Sequence, residues 1–558
     1  MAGSILCLLV LLSNFNSLSA FFVGDDFDFL RWFGKQESVR SAFELEFWGV
    51  WEPCWYLTFY LDRLLWGLNP SGYHLANLAW LALAVVLLYR LVDDLWPGTR
   101  LAPWAAAALF ATHPLHDEAV TYLSARGHPM ALGLVLLSLW LYVKGRGGGF
   151  GLKGRVALYA AALVSGLLAT GAKETALTLP LWVAMLEWLV LDPRRLAFRS
   201  LLPALGRASP FVLPVAANLL ARRLVVGLGS DKLGFPEGGL GGLLAESARD
   251  LPAYALIGGL PLPFAFLDAP TVRGFAPFGW LLVAAAVLPG LFLVLRAWFA
   301  GRPVSRSIGI YVFGLGLIAV GLALVLLADV GLRRRYFYAP SAGLAIVAAV
   351  LFERMASWRL RIARALLILL VAGGAIGLVH RNELYRQSGE VTRDLFETVR
   401  GAPLDAAEPP ASRRAAGVVL VTLPRYWGGD FLSGAYLLHR TDLASLLALG
   451  GVVPLGLSLG LSCYYADDYS ATLRFENASR FELVVSFRKD KSYEAARSRP
   501  PDEARRGDLL KIVPESEDAE ARTLSYRGTI DRPAVRGVRT ELYLYSEGGF
   551  RRITPPGG

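Results

Sequence analysis

Long apolar runs separated by short polar loops fill the first 380 residues of the chain. A membrane-spanning helix needs roughly 20 mainly apolar residues, because the lipid core is about 30 Å thick and a helix rises about 1.5 Å per residue. Runs that reach or approach this length lie at 4–23, 74–92, 101–113, 129–143, 156–172, 176–191, 201–220, 279–298, 308–328, 339–353 and 362–380. The pattern predicts eleven spans, the shorter ones drawing on their flanks. A further run, 251–267, holds Pro252, Pro261 and Pro263 and reads as an interfacial or re-entrant helix rather than a straight span.

Beyond residue 380 the period changes. Short β-branched or aromatic runs at 417–422, 471–475, 481–487 and 540–545 alternate in part and read as strands. The expected division is a polytopic membrane domain over 1–380 and a small α/β or β-rich domain over 381–558. No fixed repeat runs along the chain.

Composition agrees: 54% of the residues are hydrophobic, 18% are charged, and the mean hydropathy is +0.44, too apolar for an ordinary soluble enzyme. Of the 102 charged residues, 49 fall in the last 178, so a membrane body carries a polar tail. The net charge of +10 argues for basic cytoplasmic loops rather than a nucleic-acid surface. Alternate loops carry the excess: Arg90 and Arg100; Lys144, Arg146, Lys153 and Arg155; Arg194, Arg195 and Arg199; Arg296, Arg302 and Arg306; Arg354 to Arg364. This places the N-terminus inside, the first span uncleaved, and the other loops and the C-terminal domain outside. Three cysteines exclude a disulfide framework and a Cys-rich metal centre, although Cys54 and Cys463, both expected outside, could pair.

Four polar groups stand at the expected outer helix ends, where they cost most to keep. Asp25, Asp26 and Asp28 follow the first span; adjacent carboxylates raise one another's pKa toward a useful general base, or simply form a solvated cap. His113, His116, Asp117 and Glu118 continue through Tyr122, Ser124, Arg126 and His128. Their spacing lacks the HExxH order of a zinc helix, and the plain alternative is a set of helix-terminating residues. Lys173 and Glu174 could hold an anionic headgroup or neutralise each other. Arg333, Arg334 and Arg335 precede Tyr336 and Tyr338; guanidiniums suit a phosphate, and ordinary lipid-headgroup contact is the alternative.

The segments FFVGDDFDFL at 21–30, LWGLNPSGYHLANL at 65–78, ATHPLHDEAVTYLSARG at 111–127, GAKETALTLPLWVAMLEWL at 171–189 and RRYFYAPSAGLA at 334–345 stand in an ordered set. In that order the chain resembles GT-C fold membrane glycosyltransferases, most closely the membrane domain of the transmembrane and TPR-containing O-mannosyltransferases and their bacterial relatives, over roughly residues 5–380 and without the TPR tail. The resemblance implies a polyprenyl-phosphate sugar donor, transfer with inversion at the outer face of a bacterial plasma membrane, and a protein or glycan acceptor. It makes Asp25, then Asp26, the catalytic carboxylates. It gives the donor phosphate to Arg335, with Lys173, Arg126 and His116 assisting; His113, Glu118, Glu174, Tyr336 and Tyr338 are further site candidates. The chain departs from the family in having Glu52 before Pro53 and Arg334 before Arg335. No cofactor or metal is expected, with a divalent ion at Asp25 and Asp26 as the alternative. Two other classes fit the same features: a transporter, which should show two matching halves, and a non-catalytic receptor for a lipid-linked or surface glycan.

Overall fold

The computed structural model describes residues 1–36, 38–45, 47, 50–147, 149–192, 198–227, 239–259, 267, 269–299, 304–327, 333–401, 414–427, 435–436, 440–449, 452–465, 469–476, 480–488, 510–530, 539–546 and 549–553. They form two compact units, one of residues 1–18 and 37–382, the other of residues 19–36 and 383–558.

The first unit is the membrane body. Among the described residues, nine helical segments are long and apolar enough to cross a bilayer: Ala2–Ser19, Pro70–Leu95, Leu123–Arg146, Leu152–Thr170, Glu174–Leu191, Arg199–Val225, Ala276–Phe299, Arg306–Val325 and Arg334–Arg400. The expected eleven are corrected at one place, and the last of the nine segments holds two of the expected runs. The run 101–113 forms only the helix Ala102–Ala111, whose 10 residues rise about 15 Å, half the lipid core. The runs 339–353 and 362–380 share one helical element, Tyr338–Arg400, which is interrupted at Arg359 (φ −143°, ψ 70°).

That interruption is a reversal. Arg334 and Arg381 both reach the carboxylate of Asp117, at 3.1 and 3.0 Å. A straight helix between them would be about 70 Å long, so the chain must turn back midway. Arg359 lies near that midpoint, leaving two arms of about 30 Å each. The first arm packs closely on the helix Arg306–Leu327: a Cβ on Gly314 would lie 2.8 Å from the Gly343 carbonyl oxygen, and one on Gly343 2.5 Å from that of Gly314. Only paired glycines allow such backbone approach, the usual device where lipid leaves helices no hydrophobic reason to associate.

Ion pairs lock the helix ends opposite Asp117. Asp94 accepts from Lys144 Nζ at 2.7 Å and from Trp140 Nε1 at 2.9 Å. Glu187, wholly buried, accepts from Arg146, Arg207 and Tyr142. The Glu353 carboxylate caps the start of Ala102–Ala111 by accepting the N–H groups of Arg100, Leu101 and Ala102. The run expected as interfacial falls in the helix Gly239–Gly259, with Pro252 inside it, which is not among the apolar spans; residues 260–266 lie outside the described residues. Its Asp250 is held by Arg273 at 3.0 Å.

In the second unit the expected strand runs fall in β1 (Arg414–Trp427), β4 (Tyr469–Phe475), β5 (Arg480–Phe487) and β8 (Arg539–Ser546). The structure adds β2 (Ala435–Tyr436), β3 (Val452–Tyr465), β6 (Leu510–Asp518), β7 (Thr523–Ile530) and β9 (Gly549–Ile553). One sheet has β1 paired in parallel with β3 and β8, with β2 and β9 antiparallel at its margins. Parallel β1 and β3 need a crossover, and the helix Arg440–Leu449 lies between them. The other sheet is antiparallel, in the order β4-β5-β7-β6. Along β5, Phe481, Leu483, Val485 and Phe487 are buried and alternate with more exposed positions, the period that marked the run as a strand.

Candidate functional site

Three charged clusters gather at one end of the membrane body. In the first, Lys173 stands in the short connection between Leu152–Thr170 and Glu174–Leu191. Its Nζ donates to Glu52 Oε1 and lies 3.4 Å from Glu174, whose other oxygen is 3.6 Å from Arg222. Glu52, which the sequence showed only as a departure from the family, is the buried centre of this cluster and also accepts from Trp55 Nε1. Burial pushes the Glu52 carboxyl above the ordinary carboxylate range, against the pull of Lys173. The Lys173 ammonium stays protonated, because Glu174 and Glu52 outweigh its burial.

In the second cluster Arg334 and Arg335, neighbours in the short turn Arg334–Phe337, point to different places. Arg334 is buried on Asp117, together with Arg381. Burial pushes the Asp117 carboxyl up, but the two guanidiniums outweigh it and hold it below the ordinary carboxylate range. Arg335 instead keeps 26% of its side chain exposed, lies 3.5 Å from Glu118, and packs against the rings of Tyr336 at 5.4 Å and Tyr122 at 6.0 Å. His128 lies against the Tyr336 ring at 5.8 Å and within electrostatic reach of both Lys173 and Arg335, which joins the first two clusters into one patch.

The third cluster is internal. Arg126 is fully buried, 2.5 Å from Asp62, and it donates to Asn77 Oδ1, the Tyr73 carbonyl and Thr58. His116 is likewise buried, 2.9 Å from Ser341 Oγ. His113 Nε2 donates to the Gly258 carbonyl at 3.0 Å while its Nδ1 accepts from Leu115 N–H, and burial lowers its pKa to about 4. Tyr338 is a core residue beside His116, ring to ring at 4.5 Å. Of the candidates in this body, therefore, Lys173, Glu174, Glu118, Arg335 and Tyr336 stand together, whereas Arg126, His113, His116 and Tyr338 serve the interior. Asp62 and Arg381 complete the clusters with Asp117, and only their charge within apolar surroundings marks those two in the sequence.

Beside Tyr336, Phe337 begins an apolar cavity of about 930 Å³ bounded by Gly239–Gly259, Ala276–Phe299, Arg306–Leu327 and the first arm of the reversal. One face of Arg306–Leu327 lines it through Ser307, Tyr311, Leu315, Ile318 and Leu322, a spacing of three or four that extends about 22 Å along the helix. A smaller cavity of about 250 Å³ at His113 shares Gly259 and Leu344 with it.

The acidic candidates belong to the second unit. Asp26 is buried and its Oδ2 accepts the N–H of Val23 at 3.0 Å, so it closes the turn that starts the helix Asp26–Phe33. Asp25, the residue before that helix, is partly exposed. Asp28 accepts from Ser445 Oγ, and burial pushes its carboxyl up. Cys54 is a free thiol in the membrane body, and the side chain of Cys463 lies outside the described residues.

These features define a polytopic helical membrane protein with a cation-and-carboxylate patch at one end of its helices, next to an apolar cavity. No protein-family model matches the chain. It is 34% identical over 140 residues to Protein O-mannosyl-transferase Tmtc1 of Drosophila melanogaster, covering 23% of this chain and 16% of that protein. Against Protein O-mannosyl-transferase TMTC3 of Mus musculus it is 32% identical over 145 residues, 24% of this chain and 16% of the relative. The chain thus resembles these named glycosyltransferases over about a quarter of its length and matches about a sixth of theirs. The oligosaccharyltransferase of Archaeoglobus fulgidus aligns with 81% of this chain and 64% of its own at a TM-score of 0.42 and 11% identity, too distant a likeness to bear on chemistry.

Proposed function

We propose that the chain is an inverting glycosyltransferase that moves a sugar from a polyprenyl-phosphate donor to an acceptor hydroxyl at the outer face of the membrane, with mannose and a protein acceptor the first choice on the names of its relatives. The observation that carries this reading is the adjacency of the Arg335 patch to the 930 Å³ apolar cavity. A polyprenyl phosphate has a long apolar tail and one anionic headgroup, and it needs those two environments side by side.

The chemistry follows from charge. The acceptor oxygen attacks the anomeric carbon from the side opposite the phosphate, the carbon–oxygen bond to phosphate breaks, and polyprenyl phosphate leaves with the electron pair. Arg335, forked and permanently charged, stabilises that leaving group, and its two tyrosine neighbours hold it in place. Lys173 adds a second positive charge that Glu52 and Glu174 restrain. Asp25 takes the acceptor's proton, the role that the motif resemblance gives it. Transfer of labelled mannose from polyprenyl-phosphate mannose to peptide or glycan acceptors, with the protein in lipid nanodiscs, tests the reading. Absence of transfer together with absence of polyprenyl-phosphate binding would sink it.

A further inference from the structure

The helix Asp26–Phe33 and the turn before it sit in sequence between two membrane-body segments, yet residues 19–36 pack as part of the unit that holds the C-terminal sheets. Two elements of that unit hold them. The end of the long helix takes residues 21 and 22: Thr392 Oγ1 donates to the Phe22 carbonyl at 2.6 Å, the rings of Phe21 and Phe396 lie 6.0 Å apart, and Gly389 presses against the Phe21 backbone. A Cβ at Gly389 would lie 2.5 Å from the Phe21 nitrogen and 3.0 Å from its oxygen, contact too close for any side chain. Helix Arg440–Leu449 packs on Asp26–Phe33, with Ser445 donating to Asp28 and accepting from Arg31 Nη1 at 3.4 Å.

We infer that the C-terminal unit is the holder of the acidic segment, with Ser445, Thr392 and Gly389 as positioning residues that fix the backbone of residues 21–33 and through it the direction of the Asp25 carboxylate. None of the three is assigned a role in the chemistry itself. Backbone bonds from Thr392 and steric contact at Gly389 set the position of the turn, and the Ser445 bridge between Asp28 and Arg31 sets the rotation of the short helix about its axis. An 8-residue helix has too few internal bonds to hold itself in water, so its order depends on these outside contacts. The inference rests on the proposed role of Asp25, but its structural half stands apart from it.

Hydrogen exchange on the full-length protein in nanodiscs separates the two. Ser445→Ala and, more mildly, Thr392→Val should speed amide exchange across residues 21–33 by about tenfold, the effect of losing one hydrogen bond to a charged or backbone acceptor, while exchange in Pro70–Leu95 stays unchanged. Ser445→Thr, which keeps the hydroxyl, should restore protection. In the transfer assay kcat should fall by about tenfold in Ser445→Ala with polyprenyl-phosphate binding unaltered, and recover in Ser445→Thr. Wild-type exchange across residues 21–33 in both Ser445→Ala and Thr392→Val would overturn the inference, as would full kcat in a variant whose segment has become labile. If the wild-type protein transfers no sugar, the proposed function fails, and the exchange measurement still decides whether the C-terminal unit holds the segment.

Discussion

Asp117 and Arg381, 264 positions apart in sequence, form a wholly buried ion pair at 3.0 Å. Arg334 completes it from the other side at 3.1 Å, so one carboxylate ties both arms of the helical reversal to the segment between the short apolar helix and Leu123–Arg146. The same geometry turns Arg335 outward, because its neighbour is spent on Asp117.

Replacing Asp117 with Ala should leave two guanidiniums buried without an anion. The expected loss is about 3–5 kcal/mol, the usual effect of removing one partner from a buried pair. Thermal unfolding of the variant in detergent measures it, and a transition equal to that of the wild type would show that the cluster contributes nothing to holding the arms.

Arg335→Ala should weaken polyprenyl-phosphate binding and slow transfer, with Arg335→Lys recovering only part, because one ammonium cannot reproduce a forked contact. Arg333→Ala should do little, since the resemblance gives the donor phosphate to Arg335, the residue before Tyr336. Binding to polyprenyl-phosphate liposomes compares the three; damage confined to Arg333→Ala would reassign the cluster to general lipid anchoring.

Asp25→Asn keeps size and hydrogen-bonding capacity while removing the basic oxygen, and should lower transfer by about a hundredfold or more with folding intact. Asp26→Ala should act differently, removing the acceptor of the Val23 N–H and reducing protein yield rather than kcat alone. Transfer rates per folded molecule separate the two, and a fully active Asp25→Asn would remove Asp25 from the mechanism.

His113 gives the membrane body an acid-sensitive point. Burial lowers its pKa from 6.5 to about 4, against a smaller opposing pull from the Gly258 carbonyl. The folded state therefore binds fewer protons than the unfolded one between those values. Stability from this group is complete above pH 6.5 and is lost as pH falls toward 4, by up to about 3 kcal/mol. A melting curve taken from pH 7 to pH 4 should fall through this window, and His113→Gln should flatten it; an unchanged slope in the variant would exclude His113 as the source.

Reporter fusions settle sidedness. Lys153 lies in a loop whose basic excess predicts the cytoplasm, and Ser388 follows the last apolar run, 362–380, so fusions there should read inside and outside respectively. The opposite result at either position would reverse the assigned orientation.

Apolar runs long enough for lipid were legible from residue order, because a span must satisfy its own backbone hydrogen bonds and so announces itself by length and composition alone. The alternation of Phe481, Leu483, Val485 and Phe487 likewise revealed a strand with one buried face. The resemblance to O-mannosyltransferases could be read from ordered motifs and was found again over a limited stretch of curated relatives. Which charges meet could not be read in this way. Glu52 and Lys173, or Arg334, Asp117 and Arg381, come together only because distant helices place them within ion-pair distance, and no local pattern encodes such a distance. The turn at Arg359 was legible as the basic stretch Arg354 to Arg364 between two apolar runs, but the tying of both its arms to one carboxylate is of the same kind as these pairings. So is the capture of the acidic segment by Ser445 and Gly389, where a hydroxyl and a missing side chain decide the position of residues some 400 positions away in one case and 370 in the other. Sequence determined what each segment must be, since helix, span and strand depend on neighbours within a few residues; tertiary structure alone decided which side chains are spent on the interior and which remain available for chemistry, since burial and pairing depend on the whole chain.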